Sequence, residues 1–579
     1  MSAGFAAAPG LGLTRGRTRA GQSTVLALCS LTALGAALRF WRIGHQGFWF
    51  DEGNTVLLIH LSPGKMLGLL PQTESTPPLY YCIAWVWARV FGFGEAGVRS
   101  LSALAGTLLV PIAYAAAAEL YGQRARGRAD VIWARRAGLT AAALCACNPL
   151  LIWYSQEARA YSLMVALCGL SLLAWARARA KPTPGRLAAW AIASVLAFAT
   201  HYYSLVAVVP EALWLLVEHR RRRAVVVSFA VVAAAGAALL PLAISQNSTG
   251  NDSWIASAPF GPRLRQIIPQ FLIGTGLPDR TQFKYAAFAL AIVALGLLAV
   301  RAEPFERRRA AIAGALALGG FALALLLVAI GFDDLITRNI LALWLPAALA
   351  VTGGLACERA GVLGAATAAA LCAIGIFATV AIGLDRNLQR PDWRYVARAL
   401  GPPPAGGRAI LIQHYAYLLP LSLYLPHLAQ FRAPERVSEI DVISISSPQQ
   451  PLCWWGAACN LIPSQMQRSY PIAGFHAVAR RRVLQFTILT LRSSRPRRLT
   501  RARVAAALRT TRLRHDVLIY ERGTEPVARR AAGSGAAAVA DAGAAAVAGA
   551  GAAAPAGAGA AAAASARSAA TSASLSLRL

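Results

Sequence analysis

Long apolar runs separated by short polar or basic stretches dominate the first two thirds of the chain. The structural prediction from this pattern is a polytopic α-helical membrane protein, because most runs approach the roughly 20 residues that a helix needs to cross a bilayer. About eleven transmembrane helices are expected, at residues 23–38, 100–121, 137–154, 161–176, 187–200, 203–217, 224–244, 284–300, 310–330, 338–356 and 359–381.

A basic tail, residues 1–21, precedes the first apolar run. The run is not followed by a small-residue cleavage pattern, which favours an anchoring first helix over a removed signal peptide. We therefore expect residues 22–383 to form the transmembrane module, with the N-terminus in the cytoplasm.

Composition supports a membrane protein and excludes other classes. Of 579 residues, 57% are apolar and only 14% are charged, which is too apolar for a soluble globular protein. A net charge of +32 would suggest nucleic-acid binding in a soluble chain. Here much of the arginine lies in short clusters between apolar runs, where it acts as a topology signal, so no nucleic-acid partner is expected.

One short apolar segment, Pro77–Gly92, decides the topology of everything after it. If it does not cross the membrane, the basic clusters all fall on the cytoplasmic side, as the positive-inside rule requires. Residues 39–99 then form a first external loop with one or two helices along the membrane surface, where aromatic side chains such as Trp85, Trp87, Tyr80 and Tyr81 suit the interface. The clusters are Arg124/Arg126/Arg128/Arg135/Arg136, Arg177/Arg179/Lys181/Arg186, Arg220–Arg223 and Arg301/Arg307/Arg308/Arg309.

The external loops hold the polar residues that could carry chemistry. Asp51 and Glu52, in FWFDEGN, lie just beyond the first helix. Two adjacent carboxylates at a membrane surface are costly unless they are solvated or used, so this pair is the leading catalytic candidate. The other external polar stretches are residues 74–78, Glu95 and Arg99, residues 155–162, residues 201–203, the loop 245–283, and Asp333, Asp334 and Arg338.

The composition changes after Leu384, where alternating segments such as AILIQHYAYLL and RRVLQFTILTL predict strands. Residues 384–527 are expected to form a small extracytoplasmic α/β domain. Within it, Cys453 and Cys459 could form a local disulfide on the oxidising side of the membrane, and a zinc site is the weaker alternative. Residues 528–579 are Ala/Gly-rich and predict a disordered tail.

The order of several motifs resembles a known family. The motifs are DE in the first external loop, PPLYY, the segment Phe91–Arg99, SQEARAYS, HYY, an Arg before an LP-containing helix, and DWRYVA. Over residues 35–400 the chain resembles bacterial members of the protein O-mannosyltransferase-like superfamily. These are GT-C fold glycosyltransferases of family 39, more distantly related to the aminoarabinose transferases that modify lipid A.

The resemblance implies an enzyme that takes a sugar from a polyprenyl-phosphate carrier and passes it to an acceptor hydroxyl on the outer face, by one inverting displacement. Asp51 would be the general base, and Glu52 would orient the acceptor or a metal. The departing phosphate needs positive charge. The candidate substrate and phosphate ligands are Arg159 and Arg338, then Arg99 and Lys65, together with Glu157, His201 and Tyr202.

Each candidate also has a structural interpretation. Asp51 and Glu52 could stabilise a helix N-terminus, and Glu157 could pair with Arg159 to fix a helix start. His201 and Tyr202 could be interfacial anchors. Arg338 could simply balance the nearby carboxylates Asp333 and Asp334.

The chain departs from the family at Ser75-Thr76, where many relatives have His, or Glu-Lys in the aminoarabinose branch. Thr76 cannot supply charge or bind a metal, which weakens the case for a metal and for lipid A as acceptor. No cofactor is required, although a divalent cation could bind through Asp51 or Glu52. The acceptor could be a lipid, a cell-wall glycan or a protein, and the expected location is the bacterial inner membrane.

Two other function classes compete with the transferase. A transporter or lipid flippase would also have about eleven helices, but it should show internal repeats or interrupted helices around a midplane site. A sensor with an outer ligand-binding domain would explain residues 384–527 but not the DE loop.

Overall fold

The structure, a computed structural model, describes residues 11–123, 128–275, 281–412, 418–425, 428–431, 434–445, 470–508 and 517–523. The proposed disulfide between Cys453 and Cys459 and the Ala/Gly-rich tail lie outside these residues. The first helix begins at Leu11, inside the segment predicted as a basic tail.

Eighteen α-helices account for the described part of the chain before residue 385. They are α1 Leu11–Phe40, α2 Phe50–His60, α3 Pro63–Thr73, α4 Leu79–Phe91, α5 Glu95–Gly122, α6 Arg128–Cys147, α7 Pro149–Ser155, α8 Tyr161–Ala180, α9 Pro184–Thr200, α10 Leu205–His219, α11 Arg223–Ala238, α12 Leu240–Asn247, α13 Ser253–Ser257, α14 Phe260–Ile273, α15 Thr281–Val300, α16 Pro304–Ala329, α17 Trp344–Ala356 and α18 Gly361–Leu384.

Each of the eleven predicted apolar runs contains helix, although some are interrupted or begin in a turn, as at residues 338–340. Within the described residues, seven helical segments are long and apolar enough to cross a membrane, and the bent pair α6–α7 would make an eighth. The helices α9 and α17 are apolar but shorter, and α10 has 15 residues. A multi-pass membrane protein is therefore supported, while the count of eleven crossings stays a prediction.

Ion pairs connect the basic loops at one end of the helical bundle. Arg177 pairs with Glu119, Arg179 with Glu218, and Arg359 with Glu303, at N–O distances of 3.3, 2.7 and 2.6 Å. These contacts join the ends of α5, α8 and α10 and the starts of α16 and α18. The alternation of helix ends agrees with the predicted topology, although which end faces the cytoplasm stays a prediction.

A helix break between α6 and α7 sets the position of the segment that follows. The two helices meet at an angle of 57° around Asn148. The Asn148 side chain caps α7 by accepting a hydrogen bond from the Leu151 N–H at 3.0 Å. The buried guanidinium of Arg39 donates to the carbonyls of Cys145 and Ala146 at the end of α6, where a positive charge is favoured.

The first loop, residues 39–99, contains three helices rather than one or two. The longest, α4, has 13 residues and spans about 20 Å, which is less than the bilayer core. This length agrees with the prediction that Pro77–Gly92 does not cross the membrane, which stays a prediction. The interfacial position predicted for Tyr80 and Tyr81 is wrong, because both side chains are fully buried in a cluster that includes residues of α2, α3 and α5.

The C-terminal region contains a six-stranded mixed sheet, which confirms the predicted small sheet. The strand order is β2-β6-β1-β3-β5-β4, with β1 and β3 parallel and the other pairs antiparallel. The strands are β1 Arg408–Ile412, β2 Leu428–Gln430, β3 Glu435–Ile445, β4 His476–Val483, β5 Phe486–Leu499 and β6 Val517–Glu521; the helices are α19 Trp393–Leu400, α20 Leu418–Ser422 and α21 Arg501–Leu508.

This domain packs directly against the first loop. Tyr424, just after α20, accepts a hydrogen bond from the Phe48 N–H at 2.6 Å and donates to Glu95 at 2.8 Å. A Cβ atom at Gly53 would lie 3.2 Å from the Pro420 nitrogen, so α2 and α20 approach closely at this glycine. The C-terminal domain therefore helps to fix α2, the helix that carries Asp51 and Glu52.

Candidate active site

Asp51 and Glu52 lie in the first turn of α2, as the helix N-terminus interpretation predicts. Neighbouring residues on a helix point roughly 100° apart, so the two carboxylates enter different surroundings. Asp51 keeps 14% of its side chain exposed, whereas Glu52 is completely buried.

Glu52 and Arg99 form a buried ion pair in which every N–H donor of Arg99 is used within the protein. Glu52 accepts two hydrogen bonds from Arg99, at 2.7 and 2.6 Å, and two more from the backbone N–H groups of Ala158 and Trp49. Arg99 uses all five of its N–H donors, since it also bonds the carbonyls of Ile43, Gln46 and Gly47. In this arrangement neither side chain is free to contact substrate. The geometry thus argues against phosphate binding by Arg99 and against acceptor or metal binding by Glu52, and both act as positioning residues.

Asp51 pairs with Arg338, which lies 287 positions later in the chain. The Arg338 Nη1 donates to Asp51 Oδ2 at 2.9 Å, and the two side chains are 18% and 14% exposed. The Arg338 guanidinium also lies 5.4 Å from the ring centre of Trp254 and 5.8 Å from that of Tyr161. Asp333 instead forms a two-bond pair with Arg263. Asp334, however, lies within electrostatic reach of Arg338, so charge balance explains Arg338 only in part.

Arg159 stands beside this pair, but its partner differs from the predicted one. Its Nη1 donates to Glu74 Oε1 at 2.8 Å and makes longer bonds to the Asp51 carbonyl and the Thr55 hydroxyl. The expected Glu157–Arg159 pair is absent among the described contacts. All three bonds use one nitrogen, so Nη2 and Nε of Arg159 have no hydrogen-bond partner within the described residues and can take a ligand.

Glu157 pairs with Arg390, a residue that sequence reasoning missed. Arg390 Nη2 donates to Glu157 Oε2 at 2.7 Å, and its guanidinium lies 4.0 Å from the centre of the Trp153 ring. Glu157 is fully buried, and its Oε1 has no partner within the described structure. Burial raises the pKa of Glu157 to about 7. Arg390 lies two residues before Asp392, the first residue of the DWRYVA motif, which was the available signal.

The other candidate residues, His201, Tyr202 and Lys65, each lie in a different environment. His201 is buried, and burial lowers its pKa to about 3, so it is neutral and cannot bind phosphate as a cation. Burial within the protein also rules out an anchor role for this side chain in the lipid interface. Tyr202 donates to Gln246 at 2.7 Å and so connects the segment after α9 to α12. Lys65 is exposed on α3 and has no ion pair within the described part of the chain.

The loop after α12 supplies two further residues near the Asp51–Arg338 pair. Trp254 lies against Arg338, as described above. Asp252 lies within electrostatic reach of Arg338 and Asp51, and burial raises the pKa of its carboxyl group. Both belong to the long external loop 245–283, but no motif distinguished them from the rest of that loop.

The structure gives no geometry on which to place a divalent cation. Among the residues it describes, no three His, Cys, Asp or Glu side chains come together as a ligand set. The cation therefore stays an untested prediction.

The arrangement offers one accessible carboxylate beside two arginines at one end of the bundle. Asp51 can accept a proton, and Arg338 and Arg159 can neutralise an anionic group next to it. Glu52, Arg99, Glu74, Glu157 and Arg390 surround these groups with buried ion pairs that hold them in place.

Comparison with solved structures finds distant likenesses. Oligosaccharyltransferase from Archaeoglobus fulgidus, in complex with Zn and sulfate, shares 12% identity at a TM-score of 0.37, with 65% of this chain covered. This chain spans only 55% of the archaeal protein's length. ArnT from Cupriavidus metallidurans shares 13% identity in two structures, one bound to undecaprenyl phosphate and one in the apo state. Their TM-scores are 0.31 and 0.30, with 80% and 81% of this chain covered and 97% and 98% of ArnT.

A family model matches part of the chain. No curated protein matches the sequence. Residues 75–245 match the family model described as dolichyl-phosphate-mannose-protein mannosyltransferase. This segment contains PPLYY, Arg99, SQEARAYS and HYY, four of the features on which the predicted resemblance depends. The resemblance to this glycosyltransferase family is therefore confirmed over residues 75–245.

Proposed function

We propose that the chain is a membrane glycosyltransferase that moves a monosaccharide from a polyprenyl-phosphate carrier to an acceptor hydroxyl on the extracytoplasmic face. The observation that carries the proposal is the partly exposed Asp51–Arg338 pair, beside the buried Arg159, whose Nη2 and Nε have no hydrogen-bond partner within the described residues. The matched family supports the donor class, since its description names a sugar on a lipid-linked phosphate.

The transfer step needs a base close to the acceptor. In this account Asp51 accepts the proton of the acceptor hydroxyl while the acceptor oxygen bonds to the anomeric carbon. The bond between that carbon and the carrier phosphate breaks on the opposite side, which inverts the anomeric centre. Because this mechanism has no covalent sugar–enzyme intermediate, it needs no second carboxylate nucleophile, in agreement with the closed state of Glu52.

The leaving group needs positive charge, since the carrier departs as a phosphate monoester. Arg338 is 18% exposed, and Arg159 has unused N–H donors, so both can contact phosphate oxygens. Binding of the donor would move Arg338 from Asp51 to the phosphate. Asp51 would then be free to accept a proton only when the donor is present.

A turnover assay tests the proposal. The full chain in detergent or nanodiscs is given a polyprenyl-phosphate sugar and an envelope extract as acceptor, and release of the carrier phosphate is measured. Asp51→Asn should abolish release. Glu119→Gln is the matched control, because Glu119 is a carboxylate paired with an arginine at the opposite end of the bundle.

The same assay separates the transferase from a transporter. Transfer of the intact lipid-linked sugar between leaflets, without release of carrier phosphate, would favour a flippase. The break between α6 and α7 is the feature that would support a transporter, since transporters are expected to have interrupted helices. Its break is capped by Asn148 and Arg39, which gives it a structural explanation within the bundle.

A further inference from the structure

A pocket separate from the Asp51–Arg338 pair opens where α1, α7 and α18 end. The empty space in and in front of this pocket is about 540 Å³, a volume that includes open solvent. Its walls come from residues 41–46 after α1, from α7, from the last turns of α18, and from Gln389 and Arg390 in the segment that leads to the C-terminal domain. None of Asp51, Arg159 or Arg338 lines it.

The pocket has a basic polar side. Its lining, all within the described residues, includes Arg42, Arg99, Arg390 and His45 but no carboxylate. Arg99 is neutralised by Glu52 and has no free donor, as shown above. Burial, then the charge of Arg42, lowers the pKa of His45. Arg390 is paired with Glu157 through one nitrogen, so among these lining residues Arg42 carries the unpaired positive charge and Arg390 offers its remaining N–H donors.

These two arginines have unused donors. Arg390 is 4% exposed and, within the described structure, hydrogen-bonds only to Glu157 through one nitrogen. Its guanidinium is held between the rings of Trp153 and Trp49, at 4.0 and 5.2 Å. Arg42 contacts His45 and lies over Trp41, and it has no ion pair with any described residue. A guanidinium held rigidly with free N–H groups is suited to phosphate oxygens.

The pocket lining also includes apolar residues of the bundle, together with the polar Thr379 and Gln156. The apolar residues include Ile152, Ile382 and Gly383, and the last two lie near the end of α18, which is long and apolar enough to cross a membrane. Basic groups thus lie at the ends of the helices and aliphatic groups lie along them. A ligand with a charged head group and a hydrocarbon chain has the same separation of charged and apolar parts.

We propose that this pocket is a second lipid site, which binds the phosphate of a membrane lipid through Arg42 and Arg390 while the first carbons of its chain lie against α7 and α18. The buried Glu157–Arg390 pair links this site to the surroundings of Asp51. The proposal does not depend on the transferase function.

Binding to the purified full chain tests the site. After delipidation, native mass spectrometry follows the binding of polyprenyl phosphate, polyprenol, phosphatidylglycerol and inorganic phosphate. Arg42→Gln should weaken the binding of at least one phosphate-bearing lipid by about tenfold or more, since it removes charge-assisted hydrogen bonds. Arg398→Gln, an exposed arginine on α19 outside the pocket, is the matched control and should bind as the wild type does.

The lipid arms distinguish the source of the phosphate. Preference for polyprenyl phosphate would identify the carrier, and preference for phosphatidylglycerol would identify a phospholipid; each supports the site. Binding of inorganic phosphate alone, or equal binding of polyprenol, would overturn it.

A second variant separates this site from the active site. Arg338→Gln should leave the lipid that depends on Arg42 in place, whether or not the transferase proposal is right. Wild-type lipid binding in both Arg42→Gln and Arg42→Gln/Arg390→Gln would contradict the proposal. Thermal unfolding of each variant shows whether it is folded, which matters most for the double variant, because it leaves Glu157 without its partner.

Discussion

At the scale of single residues, hydrogen-bond completeness separates groups that hold the site from groups that can react. Glu52 and Arg99 satisfy each other and their neighbours, whereas Asp51, Arg338 and Arg159 keep exposed atoms or free donors. The sequence placed all five on one face by topology. It could not assign their partners, because each partner lies 47 or more positions away and is chosen by packing.

Arg99 and Arg338 should therefore respond differently to substitution by Gln. Arg99→Gln leaves the buried Glu52 unpaired and should lower the free energy of unfolding by about 3–5 kcal/mol. Arg338→Gln removes one partly exposed pair, so we expect a loss of at most about 1 kcal/mol in stability but at least a tenfold lower kcat. Thermal unfolding measures the loss of stability, and the carrier-release assay measures kcat. Equal losses of stability in Arg99→Gln and Arg338→Gln would contradict the distinction between the buried Arg99–Glu52 pair and the partly exposed Arg338–Asp51 pair.

At the scale of elements, close helix contacts at glycine fix the bundle. A Cβ at Gly354 on α17 would lie 2.0 Å from the Ala294 carbonyl oxygen on α15, and backbone atoms cannot rotate away. Apolar periodicity predicted where these helices lie. It could not show which glycines are contacts, since that depends on which helices become neighbours.

Gly354→Ala should thus destabilise the protein by about 1–3 kcal/mol through overpacking. Gly296→Ala on α15 is the control, because its Cβ would meet nothing within 4 Å, and it should be neutral or slightly stabilising. Thermal unfolding in one detergent compares them. An unchanged melting temperature for Gly354→Ala would refute the close contact.

The contact between the C-terminal domain and the first loop is also an element-scale feature. Tyr424→Phe removes the acceptor of the Phe48 N–H and the donor to Glu95, next to the start of α2. We expect a loss of about 1–3 kcal/mol in stability and a lower kcat, because Asp51 is held less firmly. Tyr395→Phe on the nearby α19 is a control with no described hydrogen bond from its hydroxyl. If kcat is unchanged in Tyr424→Phe, the domain does not position α2.

At the scale of the whole molecule, the chain separates a basic end from an end that holds carboxylates and open arginines. Positive-inside reasoning predicts that the basic end is cytoplasmic. Charge distribution along the sequence predicts this topology, which stays a prediction. The position of the sheet over α2 was not predictable, because it depends on contacts between residues more than 300 positions apart, such as Phe48 and Tyr424.

Labelling of single cysteines in intact cells tests this orientation. In a background without any of the nine native cysteines, Lys65→Cys should react with a membrane-impermeant maleimide, while Arg220→Cys should react only after the cells are opened. Both positions are exposed, so accessibility alone does not separate them. The reverse pattern would place Asp51 in the cytoplasm.

The central claim is that Asp51 is the base of a sugar transfer from a lipid phosphate. Its most direct test is the rate of carrier-phosphate release by Asp51→Asn, compared with the wild type and Glu119→Gln at equal amounts of folded protein. We predict a loss of at least about 100-fold in Asp51→Asn, as expected for a lost general base, and near wild-type release in the control. Release within a few-fold of wild type by folded Asp51→Asn would contradict the account.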